Sequence, residues 1–268
     1  ASSWPSTPAP PSEAPSAPVL LLVADRSAGN PFVAGELLAA RRELSGASLA
    51  QPLDQLVVAR ASLRNPECRR VLRMLAVSDG PLRHDQLAAV AARYDVEVGR
   101  KAPRSAVAGR PDRAGSGGEL RDGIEEAIVH GFVERLAADH ARDGRAPGST
   151  GAPARPTGGR SRPVRIRHEL LAGALAADLL PGSRRRMHAA VAAALPSHPA
   201  EAGRHWHQAH EPPRELEAEI AAAAEAEALG AAADALEHLE RAIALGGAPA
   251  VGEVPPAREV DLLVRAAD

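Results

Sequence analysis

The segment "IRHELLAGALAADLLPGSRRRMH", residues 166–188, changes its pattern twice. It opens on the end of "VRIR" (164–167), whose alternation reads as a short strand. It then passes through His168 into the apolar helical run "LLAGALAADLL", breaks at Pro181-Gly182, and resumes as a helix with Met187, Val191 and Leu195 on one stripe. Strand, helix, break and helix in this order set two expectations: a hairpin that ends just before His168, and a helical array that begins just after it.

Upstream, the hairpin finds its partner. "ELRDGIEEAIVHGFVERLA" (119–137) repeats Leu120, Ile124 and Ile128 at helical spacing, stops at Gly131, and alternates from Phe132 to Leu136 as a first strand. Two helices precede it. In "RNPECRRVLRMLAVSDGPL", Asn65 is an N-cap, Pro66 takes the first helical position, and Cys68, Val71, Leu72 and Leu75 form an apolar stripe. "RHDQLAAVAARY" places Leu87, Val90 and Ala91 on one face. Three helices followed by two strands form a winged-helix pattern, expected over 64–180, with low-complexity loops at 96–118 and 138–163.

Residues 1–18 are rich in Pro, Ser and Ala and read as a disordered linker. "PVLLLVADRSAGNPFVAGELLAARREL" reads as helix, turn, helix: Gly29 and Asn30 end the first helix in a left-handed cap and Pro31 starts the second. Another helix is expected from Leu53 to Leu63. Beyond residue 181 the runs "SRRRMHAAVAAAL", "EAGRHWHQA", "RELEAEIAAAAEAEAL" and "GAAADALEHLERAIAL" are helices separated by Pro or Gly. The last two form a hairpin of roughly the 34-residue tetratricopeptide size. Leu229-Gly230, Ala235, His238, Leu239, Ala242 and Leu245 stand at that repeat's marked positions, although its usual tyrosines are absent. The expected fold is therefore mainly α.

Composition agrees. Hydrophobic residues make up 45% of the 268 and aromatics only 2%, so the core is built from Ala, Leu and Val, which suit closely packed helices. The net charge of -2 argues against a general polyanion binder. Cys68 is the lone cysteine, which excludes an internal disulfide and fits a cytoplasmic setting. "VLLLVA" (19–24) falls far short of the roughly 18 apolar residues that span a bilayer, and no membrane partner is expected. The opening segment has neither a basic n-region nor an initiator Met, so it reads as neither a signal peptide nor a natural start.

Several stretches, in order, resemble one family: actinobacterial AAA-type signal-transduction ATPases of the STAND type, in particular LuxR-family regulators similar to MalT. "DRSAGNPFVAGELL" (25–38) is similar to the family's R-x-G-G-N-P-F-x-x-E-E-L-L segment, and "NPECRRVLRMLAV" (65–77) to its first winged-helix helix. "RIRHELLAGALAADLLPGSRRRMHAAVAAAL" (165–195) resembles its F-R-H-x-L-x-R-E-A-x-Y-x-x-L-L-P-G-x-R-R-R-L-H stretch. "AGRHWHQAH" (202–210) and the hairpin after it look like the start of its tetratricopeptide-like arm. Ile166 replaces the usual Phe, Ala172-Gly173 the Arg-Glu pair, and Ala176 a common Tyr, which removes bulk and charge after His168.

The resemblance implies lid helices at 19–63, a winged-helix domain at 64–180 and a tetratricopeptide-like region at 181–268. It implies that Gly29, Asn30 and Pro31 pack near the adenine of ATP or ADP, and that His168 touches the ADP phosphate. The nucleotide would be held in a full-length parent, since no G-x-x-x-x-G-K-[ST] loop is present; Lys101, the only lysine, sits in "VGRKAPRS". The chain alone is thus expected to need no cofactor and to be no enzyme. Its implied partners are the parent's nucleotide-binding core and an effector or protein on the tetratricopeptide-like arm, with DNA reached only through a C-terminal domain beyond these residues.

Other residues admit plainer readings. The Gly29-Asn30-Pro31 turn also reads as helix punctuation, and His168 as an N-terminal cap. His205, His207 and His210 invite a metal, but on a helix 205 points away from 207, so three-point coordination is strained and Trp206 reads as a helix-interface anchor. Arg184-Arg185-Arg186 reads as a solvated face in preference to a DNA contact, and the helix "GELRDGIEEAIVHG" carries more acids than bases, which phosphates repel. A free-standing tetratricopeptide-like scaffold, or the regulatory module of a nucleotide cyclase or kinase, are the alternatives to a transcription regulator.

Overall fold

The computed structural model describes residues 15–44, 49–99, 116–136, 162–248, 251 and 255–267. Residues 1–14 of the expected linker, and 100–115 and 138–161 of the two expected loops, lie outside them. The chain is mainly helical, with one two-stranded antiparallel sheet among the described residues. It divides into two compact units, residues 1–60 and 61–268.

The first unit holds helices α1 (Ala17–Ser27), α2 (Pro31–Glu43) and most of α3 (Leu53–Ser62). Helix α1 begins inside the stretch expected to be linker, because Pro18 sits in its first turn, where a missing N–H costs nothing. The turn after it differs from the sequence expectation in one respect. Ala28 (φ 48°) and Gly29 (φ 81°) take the left-handed conformation. Asn30 is extended and belongs to α2, its Oδ1 accepting from the backbone N–H of Phe32 at 3.0 Å and of Val33 at 3.4 Å. An Asn side chain that satisfies two orphan amides outweighs its tolerance for a left-handed backbone. Val23, Leu37, Ala40, Leu49 and Leu56 form the core of this unit. Beside it lies Arg60, 2% exposed, bonded to the Glu36 carboxylate and, at 3.1 Å, to Glu43.

The second unit begins with α4 (Pro66–Ser78), whose N-cap Asn65 accepts from the Cys68 N–H at 2.7 Å. Cys68, Val71, Leu72, Met74 and Leu75 are buried, and Asp79 (φ 57°) ends the helix. Leu82 follows, then α5 (His84–Glu97) and α6 (Ser116–Val129). Helix α6 presents Leu120, Ile124 and Ala127 to the core, and Ile128 is only half-buried. Gly123 is where α6 meets α4: a Cβ there would stand 2.8 Å from the Glu67 carbonyl carbon and 2.9 Å from the Cys68 nitrogen. Only a residue without a side chain permits that approach.

Gly131 (φ 74°) turns the chain into β1 (Val133–Arg135), which pairs antiparallel with β2 (Val164–Ile166) in the register Val133↔Ile166, Glu134↔Arg165, Arg135↔Val164. Both strands are shorter than the alternation predicts. Leu82 bridges Val164 on the other edge of β2, exchanging backbone hydrogen bonds of 2.9 and 2.8 Å. The connection between α4 and α5 thus adds an isolated bridge along the free edge of β2.

After β2 the chain is helical: α7 (Glu169–Ala177), α8 (Pro181–Ala194), α9 (Pro199–Ala209), α10 (Pro212–Ala228), α11 (Ala232–Gly246) and α12 (Pro256–Ala267). Proline opens α8, α9, α10 and α12, fixing φ where no intrahelical N–H bond is lost. Successive helices from α8 to α12 pack on one another, while α8 also packs against α4 and α5, and α7 against α4. Small residues allow this: Ala192, Ala202, Ala209 and Ala218 surround Trp206, and Leu216, Ala223, Leu239, Ala242 and Leu262 form the next cluster.

Candidate functional site

Helices α8, α9, α10 and α11 and the α4–α5 connection enclose a cleft of about 1130 Å³, all within the second unit. Its floor is polar for a structural reason. His205 occupies the buried face of α9, 5% exposed, and its Nε2 meets the Ser78 carbonyl oxygen at the C-terminal end of α4, 3.3 Å away. A carbonyl only accepts, so Nε2 carries the proton and the Nδ1 of neutral His205 is bare. That Nδ1 lies 3.0 Å from the Nδ1 of His188 on α8, with ring centroids 5.2 Å apart. His188 must therefore donate from Nδ1, and its own Nε2 holds a lone pair. Among the described residues that nitrogen has no partner, and His188 lines the cleft.

The relay stays neutral. Burial pushes the His188 pKa down to about 4, assisted by His205 and Arg184 and opposed by Asp79. Burial also lowers His205, against the charge of Glu201, the bond to Ser78 and the charge of Asp79, while Arg204 adds to the lowering. At neutral pH the pair forms a fixed one-way chain of donors, from His188 to His205 to a backbone carbonyl.

A second polar set lies on α10. Glu219, 3% exposed, accepts from His238 Nδ1 at 2.6 Å, and Glu215 pairs with His207 Nδ1 at 2.9 Å. Glu219 reaches this depth because α9 carries Gly203 opposite it; a Cβ there would stand 2.6 Å from Glu219 Oε1. Arg214 lies over the Trp206 ring, its guanidinium carbon 4.8 Å from the centroid.

The residues singled out in the sequence are distributed over both units. Gly29, Asn30 and Pro31 form the α1–α2 turn of the first unit. His168 belongs to the second, where it caps α7: its Nδ1 accepts from the Leu170 N–H at 3.2 Å. Of the "HWHQAH" histidines, His205 is buried, while His207 and His210 are exposed. Among the described residues no group of three or more His, Cys, Asp or Glu is arranged to hold a metal ion. Arg184, Arg185 and Arg186 are exposed on α8, while Met187 and Val191 of the same helix are buried.

Sequence reading missed the His188–His205 contact. The available signal was spacing: His188 lies next to the buried Met187 and His205 next to Trp206, so each borders an apolar stripe. The buried pair Arg60–Glu36 and the bridge at Leu82 gave no such signal. Compared with family models, with curated proteins and with solved structures, the chain matches none.

Proposed function

We propose that the chain is the regulatory segment of a nucleotide-switched transcription regulator, similar to LuxR-family STAND ATPases of the MalT kind. The supporting observation is the order of elements in the second unit: helix, isolated bridge at Leu82, helix, helix, β1, β2, then consecutively packed helices. The bridge at Leu82 falls where a winged helix carries a short strand between its first two helices, which supports the reading. The helices after residue 181 take the part of a tetratricopeptide-like sensor arm.

In this reading His168, at the point where β2 passes into α7, contacts a phosphate oxygen of ADP beside the positive end of that helix. ADP stabilises a resting arrangement and an effector on the arm favours another, so differential binding to two states carries the signal. The core that turns over ATP, and the DNA-binding output, are supplied by a longer protein.

The test has two parts. In a protein carrying this chain behind a nucleotide-binding core, His168→Ala should speed ADP release by about tenfold, the loss of one charge-assisted hydrogen bond. The 268-residue chain by itself should release no phosphate from ATP. Unchanged ADP retention removes the role given to His168, and turnover by the isolated chain overturns the reading as a whole.

A further inference from the structure

The cleft beside the His188–His205 relay holds an unusual residue of charge. Glu215 and Glu219 are taken by His207 and His238, and Arg83 and Arg241 by Asp85 and Glu237. Four ionised lining groups have no partner among the described residues: Asp79 and Glu201, Arg184 and Arg204. They are two anions and two cations that share one cleft without pairing to each other. All four lie close enough to the imidazole pair for their fields to act on it.

The lone pair on His188 Nε2 is the second observation. It is fixed by the Ser78 carbonyl through His205, so it asks for a donor. An inorganic anion would satisfy the arginines and leave both carboxylates and the imidazole unmatched. A metal cation would satisfy the carboxylates and be opposed by the arginines. A ligand that carries both signs a few bonds apart, with N–H donors on its positive end, matches all four charged groups and the imidazole nitrogen. The wall also has an apolar part, Val77, Leu82 and Leu245, against which a side chain packs.

We propose that this cleft binds a small zwitterion of the α-amino acid class. Its carboxylate pairs with Arg184 and Arg204, and its ammonium with Asp79 and Glu201. One ammonium N–H donates to His188 Nε2. Because the cleft joins the α4–α5 connection to α8–α11, an occupant ties these elements together. The inference stands apart from the regulator reading and holds equally for a free-standing module.

Calorimetric titration of the 268-residue chain with each of the twenty L-amino acids tests it. At least one should bind one to one. Its amide, which lacks the carboxylate, and its deaminated acid, which lacks the ammonium, should each bind at least about tenfold more weakly. Arg204→Gln and Asp79→Asn alter exposed side chains, so each should keep the parent's melting temperature while weakening the ligand by about fivefold or more. His188→Leu should abolish measurable binding. The proposal is overturned if none of the twenty binds, if the amide or the deaminated acid binds as well as the amino acid, or if both surface variants leave the affinity unchanged. Equal binding of acetate or phosphate would also overturn it.

Discussion

His188 and Cys68 show how burial decides what a side chain does here. The His188 pKa in the fold, about 4, lies below its ordinary 6.5. Above pH 6.5 both folded and unfolded chains leave it neutral. Between 6.5 and 4 the unfolded chain binds the extra proton, so stability falls with falling pH across that window and levels off below it. Melting temperature followed from pH 7.5 to 4.5 should drop more steeply for the parent than for His188→Gln; equal slopes would remove the relay. Nitrogen-15 spectra at pH 7 should show the proton of His188 on Nδ1 and that of His205 on Nε2. Cys68 moves the other way: burial, and then the Glu126 carboxylate, push its thiol up to about 12 against the pull of Arg64. At pH 8 roughly one molecule in ten thousand carries the thiolate. A thiol reagent should therefore label Cys68 only after denaturation, and fast labelling of the native chain would contradict its packing.

Helix pairs are set by what is missing from their surfaces. At Gly123 the neighbour of a hypothetical Cβ is α4 backbone, which cannot swing aside. Gly123→Ala gains up to ~1 kcal/mol of helix propensity. It loses more, about 1–3 kcal/mol, because α4 and α6 must separate. A melting temperature several degrees lower is expected for a body of this size. A rise would mean that the two helices are not in contact. The α4 stripe of Cys68, Val71, Leu72 and Leu75 was legible in the sequence because a period of 3.6 maps directly onto a helix face. The close approach at Gly123 was not, since an isolated Gly in a helical pattern has the same appearance whether it touches a backbone or water. Asn30 illustrates a third case: its residue type favours two roles, and only the bonds to Phe32 and Val33 choose between them.

Across the whole molecule, each unit carries its own apolar cluster: Val23, Leu37, Ala40, Leu49 and Leu56 in the first, and the clusters around Trp206 and Leu239 in the second. A chain shortened to residues 64–268 should keep its helical circular dichroism and melt in one cooperative step. Non-cooperative melting of that fragment would mean that the first unit is needed to complete the core of the second. Within the second unit the cleft is a product of the array, because its lining is drawn from the α4–α5 connection and from α8, α9, α10 and α11 together.

Taken alone, the sequence determined the mainly helical class, the starts of α2 at Pro31 and of α4 at Pro66, and the hairpin of β1 and β2. Those features depend on neighbours a few residues apart: periodicity, proline at a first turn, an asparagine cap, alternation in "VRIR". The tertiary structure decided the rest, including which histidine is buried, the bond from His205 to Ser78, the Leu82 bridge to Val164 and the seat of Arg60 against Glu36. Each joins groups far apart in the chain. The free energy of bringing a polar side chain out of water depends on the partner it meets there, and that partner is known only once the helices have packed.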